Sequence, residues 1–336
     1  MNCLICLKTL PEKGTSGYHG KCLERLFGDK EVDLDLPENR KDLVSKMPKQ
    51  TKGFSISGVQ MKCQMAIEDK KLKLVDHNGQ FIMKPSPEEY ANVAENEHAT
   101  LTLMDRIGFD VPPCGLLRLQ DDHLVFIIRR YDRDFETGMK AHQEDAMQAL
   151  GITNEDASNK YTSASYEEVL KMVIKEAGMA VAMELLLRLV FSYAVGNDDH
   201  HLKNISFYHD PMFRLTPCYD VLASSLYSSA SENPMALPFF EDREALPSYY
   251  GNMGNGFYAG SDFIELGVRA GLLEAAVRKR ISQLLRKVAR LAPAAIHDSY
   301  MPDEMKEKYV NLVRQRLTFL DVLDYTNPKP TREGSR

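Results

Sequence analysis

The 336-residue sequence is short of cysteine, of long apolar runs and of any excess of basic charge. Six cysteines in a chain of this length do not make a disulfide framework. The longest apolar run, residues 179–195, is interrupted by Glu184 and Arg188, which reads as a buried helix and not as a membrane span. The opening MNCLICLKTLPEKG holds too short an apolar stretch for a secretory signal. A reducing cytoplasm is therefore the expected compartment, and no membrane partner is expected. A formal net charge of -6 gives the chain no global reason to adhere to nucleic acid or to anionic lipid, so direct nucleic-acid binding is not expected. No internal repeat is visible.

What is present suits a soluble globular chain, with 43% hydrophobic and 27% charged residues and length enough for two lobes sharing a cleft. Residues 1–30 stand apart because Cys3, Cys6, His19 and Cys22 are concentrated there. Residues 31–52 are polar and charged, a helix or a connector. MAI at 65–67, LKLV at 72–75 and FIMK at 81–84 read as strands, with EDKK and DHNG as turns. Residues 94–107 carry apolar positions at Ala99, Leu101, Leu103, Met104 and Ile107, a helical spacing. A second hairpin is predicted over 115–119 and 124–129. Beyond residue 143 the character changes: one long helix over 166–194, short strands at 205–208 and 213–216, a loop-rich segment at 224–258, and helix again over 262–323. The expectation is an α+β fold of two lobes, a small β-rich N-lobe (31–143) and a larger helical C-lobe (144–325), followed by a polar tail (326–336). That is the outline of a protein kinase, although outline alone is weak evidence.

Phosphoryl transfer from ATP needs a carboxylate to orient the attacking hydroxyl, oxygen ligands for Mg²⁺, a cation on the phosphates and backbone N–H groups around them. In GNDDHHLKN (196–204), Asp199 and Asn204 stand five residues apart directly after the apolar helix. That is the spacing of a catalytic base and a metal-binding Asn. Asp220, sixteen residues after Asn204, falls where a second metal ligand would. Lys203 is placed to neutralise charge on the transferred group. His200 and His201 read as orienting Asp199 or the substrate, with His201 counted among the nucleotide-binding residues. Taken alone the loop reads as polar surface; its position after an apolar helix and before a strand pair ending in Asp is what makes it specific. Lys84 closes a strand-like run and is the candidate phosphate cation, with Glu97 as its partner and Glu95 as the competitor; a glutamate at a helix start is also a routine dipole partner. GFSISGVQMK (53–62) is the candidate phosphate-binding turn, although it matches neither GxGxxG nor the Walker pattern.

These residues resemble the HipA-like serine/threonine kinases of bacterial toxin–antitoxin systems, especially the short HipT-type members. The resemblance runs over about residues 45–323 and is carried by SISGVQMK (55–62), FIMKP (81–85), ENEHATLTLMDRIGFDVP (95–112), RRYDR (129–133) with HQEDAMQ (142–148), and GNDDHHLKN (196–204) with PCYDVLAS (217–224). It implies Asp199 as base, Asn204 and Asp220 on Mg²⁺, Lys84 on the ATP phosphates, and Ser57, Gly58, Val59, Gln60 and Lys62 in the phosphate-binding loop. It further implies that Glu144, Asp145 and Ala146 form the hinge whose backbone binds adenine. Ser55 and Ser57, in the motif SIS, would be autophosphorylation sites that displace the loop and switch the enzyme off. By resemblance the substrate would be an aminoacyl-tRNA synthetase, whose phosphorylation slows translation. The partners would be a helix-turn-helix DNA-binding antitoxin and a small, separately encoded protein equivalent to the HipA N-terminal subdomain.

Two other functions fit parts of this pattern: a small-molecule kinase of the antibiotic phosphotransferase type, and a pseudokinase or binding module of an antitoxin complex. The intact set Lys84, Asp199, Asn204 and Asp220 speaks against the latter. Separately, Cys3-x2-Cys6 and His19-x2-Cys22 give two pairs of soft ligands with twelve residues between them, the pattern of a small zinc knuckle with a structural role. Free thiols beside an unrelated histidine are the alternative. Cys63, Cys114 and Cys218 are scattered and read as packing residues.

Overall fold

The computed structural model describes residues 1–11, 17–36, 39–46, 61–153, 155–227 and 233–325. Within 31–52 it gives one short helix. In chain order the first elements are α1 (Gly20–Phe27), α2 (Arg40–Lys46), β1 (Cys63–Glu68), β2 (Lys71–Val75), β3 (Phe81–Pro85), α3 (Val93–Ile107), β4 (Cys114–Arg118) and β5 (Leu124–Arg129). The five strands form one antiparallel sheet in the order β2-β1-β3-β5-β4. The β1–β2 turn at Asp69 and Lys70 has φ of 51° and 62°, the backbone of a tight hairpin that follows strand twist.

Period-two alternation makes this sheet a wall between two cores. Phe81 and Met83 of β3, Leu117 of β4, and Val125 and Ile127 of β5 share one core with Cys3, Ile5, Leu23, Leu26 and Phe27. On the opposite face Ile82, Cys114, Leu116, Phe126 and Ile128 join a larger core with α3 and the helical half of the chain. Residues 1–11 and 17–27 therefore cover the back of the sheet.

The helical half begins with β6 (Gln143–Asp145), α4 (Ala146–Ala149), α5 (Asn159–Thr162), α6 (Tyr166–Ala177) and α7 (Met179–Val195). The single helix expected over 166–194 is two. Gly178 sits between them at φ 83°, ψ 174°, a conformation open to glycine and not to other residues. Apolar periodicity runs through the break, so the pattern alone conceals it. β7 (Ser206–Tyr208) pairs with β6 and β8 (Arg214–Leu215) with β7, in the order β6-β7-β8, so the lobe boundary expected at 143/144 falls inside a strand. Then come α8 (Ser248–Met253), α9 (Gly260–Ala270), α10 (Glu274–His297) and α11 (Asp303–Leu320). Part of the segment read as loop-rich is internal: Met235, Leu237, Phe239, Phe240, Tyr249 and Tyr258 are buried, and Phe239 stacks on Tyr258 with centroids 4.3 Å apart.

The start of α9 is pressed onto the end of α11. Ser261 N–H donates to the Val322 carbonyl at 2.9 Å. A Cβ at Gly260 would collide with the Leu320 carbonyl oxygen and approach Leu323 to 2.6 Å. Gly260→Ala is expected to destabilise the protein by about 1–3 kcal/mol through overpacking, read as a lower urea midpoint with an unchanged slope.

Candidate active site

Alternation along β3 sends Phe81 and Met83 into the rear core and turns Ile82 and Lys84 the other way, toward the cleft between the lobes. The Lys84 ammonium lies 2.7 Å from Glu97 Oε1 of α3 and 2.8 Å from Asp220 Oδ1. The partner of Lys84 is thus Glu97; Glu95 instead accepts from Asn92 Nδ2 at 3.2 Å. Burial by itself would lower the pKa of Lys84, but the two carboxylates outweigh it and hold the ammonium above its ordinary range. Desolvation pushes Glu97 up to about 7 against the pull of Lys84. For Asp220 desolvation also acts upward, and the charge of Lys84 overcomes it, leaving the carboxyl below its ordinary value.

Asp220 is held at φ 56°, a left-handed conformation that aspartate tolerates better than bulkier residues and that clusters at functional sites. Its loop is fastened from α3: Asn96 Nδ2 donates to the Ala223 carbonyl at 3.1 Å, and Ala223 N–H donates to Asn96 Oδ1 at 2.9 Å.

Helix α7 ends at Gly196, φ 73°, where a Cβ would strike the Ser225 hydroxyl and come within 2.6 Å of Leu312. The chain then enters the loop carrying Asp199. His200 Nδ1 pairs with the Ser192 hydroxyl at 2.6 Å, and Tyr166 OH donates to the His200 carbonyl at 2.9 Å, so His200 ties the loop to its helix. Asn204 Nδ2 donates to the Asp199 carbonyl at 2.9 Å, which leaves the amide oxygen of Asn204 as its available ligand. Asp199 is buried, and its Oδ1 accepts from Tyr161 OH at 2.7 Å. Its Oδ2 is buried with no hydrogen-bond partner among the described residues. Desolvation pushes Asp199 up to about 6; the Tyr161 bond opposes this and the charge of Asp220 adds to it. His201 Nε2 stands 3.8 Å from Asp199 Oδ1, and burial drives His201 down to about 3, a neutral ring.

A cavity of about 550 Å³ opens over the Lys84–Glu97–Asp220 cluster, lined also by Lys62, Tyr131 and Gln143 among others; Asp199, His201 and Asn204 are not in its wall. That volume suits a nucleotide-sized ligand. Tyr131 and Tyr219 lie at one side with ring centroids 5.3 Å apart. Of the three residues expected at the hinge, Asp145 N–H donates to Gln148 Oε1 at 3.1 Å and Ala146 N–H to the Ile205 carbonyl at 2.8 Å; Glu144 pairs with Phe207 across β6–β7. It is their neighbour Gln143 that lines the cavity. A larger cavity of about 890 Å³, with Arg280, Arg286 and Lys287 in its wall, lies away from this cluster against α10.

The structure thus brings Lys84, Glu97 and Asp220 into contact and sets Asp199, His201 and Asn204 in one loop beside them. Lys203 lies in that loop's 3-10 turn, Leu202–Asn204, with its carbonyl accepting from Tyr219 OH at 3.0 Å. Lys62 lines the cavity, and its charge acts on Glu97 and Asp220. Ser55, Ser57, Gly58, Val59 and Gln60 lie outside the described residues. Cys3, Cys6, His19 and Cys22 converge at a separate place behind the sheet. Two residues lie beyond the sequence expectation, Tyr161 on the Asp199 carboxylate and Lys160, whose charge bears on Asp199 and His201. Both sit on α5, a one-turn helix remote in sequence from GNDDHHLKN, and no local signal marks them. ATP and a divalent cation fit the cleft by donor type: Asp220 and Asn204 offer hard oxygen ligands, Asp199 an unpartnered buried oxygen, and Lys84 and Lys62 positive charge.

The chain is similar to known proteins in sequence and in fold. A Haemophilus influenzae protein named "Putative kinase" is 33% identical over 339 residues, spanning 96% of this chain and 98% of that protein. The serine/threonine-protein kinase toxin HipA of Shewanella oneidensis is 24% identical over 191 residues, 52% of this chain and 44% of that protein. Among solved structures, Shewanella oneidensis HipA in complex with HipB and operator DNA superposes with TM-score 0.67 at 18% identity, covering 87% of this chain and 76% of that one. The Helicobacter pylori proinflammatory kinase CtkA gives 0.51 at 14% identity, covering 87% and 96%. The fold is the two-lobed α+β fold of these kinases. Residues 54–295 match the HipA-like C-terminal domain, and the chain belongs to that family.

Proposed function

We propose that this chain is an ATP- and magnesium-dependent serine/threonine protein kinase, with Asp199 as its base. The observation that carries the reading is the buried Asp199 carboxylate, one oxygen fixed by Tyr161 and the other unpartnered, beside the Lys84–Glu97–Asp220 cluster. Asn204 and Asp220 would hold the metal, and Lys84 would contact the phosphates. ATP bound with its cation supplies the phosphoryl group and neutralises charge that develops on it. Asp199 orients a substrate hydroxyl and accepts its proton on Oδ2. Tyr161 keeps the carboxylate in one rotamer. Glu97 holds Lys84 in place, Lys203 adds positive charge at the loop, and the neutral ring of His201 closes one side of the base.

By kinship with the Shewanella oneidensis toxin, we read the chain as the toxin of a toxin–antitoxin pair acting in the cytoplasm. Its protein substrate would be an aminoacyl-tRNA synthetase, and its phosphorylation would slow translation. A DNA-binding antitoxin and a small protein equivalent to the HipA N-terminal subdomain are the proposed partners; HipA of Shewanella oneidensis was solved with HipB and DNA. Among the described residues no helix is long and apolar enough to cross a membrane. Ser55 and Ser57 are the proposed autophosphorylation sites: a phosphate there adds close to two negative charges, in competition with the phosphates of ATP.

Incubation with Mg²⁺ and labelled ATP should label the protein itself and a protein in a cell lysate. Label confined to small molecules would replace this reading with that of a small-molecule phosphotransferase, and no label anywhere would remove it. Asp199→Asn should lower protein phosphorylation by about 10²–10⁴-fold, the usual contribution of a general base.

The base works only when ionised, so the rate should fall as pH drops through about 6, the pKa to which burial raises Asp199. Tyr161→Phe removes a bond that favours the ionised form. The acid limb of its pH–rate profile should move up by about one to two pH units, since one unit is about 1.4 kcal/mol and such a charge-assisted bond contributes about 1.5–3 kcal/mol. An unmoved limb would show that Tyr161 serves packing alone.

A further inference from the structure

The cluster behind the sheet belongs to no part of the phosphotransfer site. Cys3 and Cys6 come from the turn at the chain's start, where Leu7 N–H donates to the Cys3 carbonyl at 2.9 Å and Cys3 N–H to the Lys8 carbonyl at 2.8 Å. His19 is the N-cap of α1, and Cys22 lies in its first turn. The four ligand atoms lie within 4.8 Å of one another. Cys6 Sγ is 3.4 Å and Cys22 Sγ 3.8 Å from His19 Nδ1. With Zn–S near 2.3 Å and Zn–N near 2.0–2.1 Å, a tetrahedral site has S···N edges of about 3.6 Å and S···S edges of about 3.8 Å. The Cys6 and Cys22 sulfurs stand close to that S···N edge from His19 Nδ1, and all four ligand atoms lie within 4.8 Å of one another.

The surroundings are those of a metal site. His19 Nε2 faces the Thr9 carbonyl at 3.3 Å; donating its proton there leaves the Nδ1 lone pair directed at the thiols, the usual second-shell device. His19 N–H donates to Cys3 Sγ at 3.4 Å, which favours a thiolate. Cys3 is fully buried, while the other three are half-buried at an edge that an ion can reach.

We infer that Cys3, Cys6, His19 and Cys22 form a structural zinc site that clamps the N-terminal segment onto α3 and β4. Three thiolates and one imidazole in a closed tetrahedron select Zn²⁺ over hard cations. The backbone between the ligands makes the grip: the Ile5 carbonyl accepts from His98 Nε2 at 2.9 Å and the Cys6 carbonyl from Arg106 Nη2 at 2.9 Å, both from α3. The Leu4 carbonyl accepts from Leu116 N–H of β4 at 2.8 Å. Between the ligand pairs, Tyr18 OH donates to the Leu116 carbonyl at 3.0 Å. His98 adjoins Glu97, so on the kinase reading the metal steadies the helix that pairs with Lys84.

The test is the metal content of protein purified without a metal-recruiting tag, measured by mass spectrometry against protein concentration. About one zinc per chain is expected. The reduced, chelator-treated protein should take up cobalt(II) with thiolate charge-transfer absorption and the intense visible bands of a tetrahedral site. Cys22→Ser should lose the metal, Cys22→His should keep it, and Cys114→Ala, buried nearby but outside the cluster, should leave it unchanged. Zinc below about a tenth of an equivalent together with no cobalt–thiolate absorption would overturn the assignment, as would a bound metal indifferent to Cys22→Ser. If the serine variant does not fold, the cobalt spectrum of the unaltered protein decides. None of these readouts depends on phosphotransfer, so failure of the zinc site and failure of the kinase reading are separable.

Discussion

The buried ammonium of Lys84 is the constraint on which the rest of the cleft depends. It joins three elements far apart in the chain: β3, α3 and the loop of Asp220. One positive charge faces two carboxylates, so the three groups carry a net charge of -1 when Glu97 is ionised. Glu97, completely buried, is pushed up to about 7, while Asp220 is held ionised. Removing either carboxylate leaves Lys84 with one partner; removing Lys84 leaves two carboxylates facing each other out of water. Breaking a buried pair in this way costs about 3–5 kcal/mol. The excess negative charge, with Asp199 close by, makes the cleft favourable for a further cation, in keeping with the metal site proposed at Asn204 and Asp220.

Helix α3 distributes that constraint. Within five positions Asn96 holds the Asp220 loop, Glu97 holds Lys84, His98 holds the N-terminal segment, and Thr100 Oγ1 meets Tyr309 OH of α11 at 2.8 Å. All four are fully buried. A helix with polar groups buried on several faces must find a partner for each, because an unpaired buried group costs about 1–3 kcal/mol. Each partner lies on a different element, so α3 cannot shift without disturbing the sheet, the base of the helical lobe and the N-terminal segment together.

This explains what the sequence makes legible. Strands β1 to β3 are legible from alternation, β4 and β5 as short apolar runs buried on both faces between turns, and α3 is recognisable from Ala99 to Ile107, where apolar residues recur. Its first turns, ENEHAT, read as a polar helix start, since nothing local says that the far ends of four chains will arrive there. The choice between Glu95 and Glu97 was open for the same reason: helical phase is fixed by packing, and the two residues differ by about 200° around the axis. The undivided helix over 166–194 failed because an apolar pattern does not register the reversal at Gly178. The Asp–Asn spacing and the Cys/His pairs were legible because a single turn or loop fixes each. Tyr161 was not, because its partner is brought to it only by the tertiary fold.

Between the two adjacent aspartates of GNDDHHLKN, the environment separates their parts. Asp198 N–H donates to Ser224 Oγ at 3.0 Å, and that hydroxyl donates back to Asp198 Oδ1. Asp198 thus fastens its loop to the segment after Asp220 and has its bonding spent on structure. Asp199 keeps one buried oxygen without a hydrogen-bond partner among the described residues, with its charge opposed by desolvation and by Asp220. A carboxylate poised near pH 6 with an oxygen unpartnered among the described residues is suited to accept a proton; one that accepts from a neighbouring hydroxyl, while its own backbone N–H donates to that same hydroxyl, is suited to hold a loop. The two histidines do not compete for the role of base. Both are driven neutral by burial, and His200 is occupied with Ser192. On the proposed reading the proton acceptor of this loop is Asp199, and Tyr161 tempers the rise that burial gives its pKa.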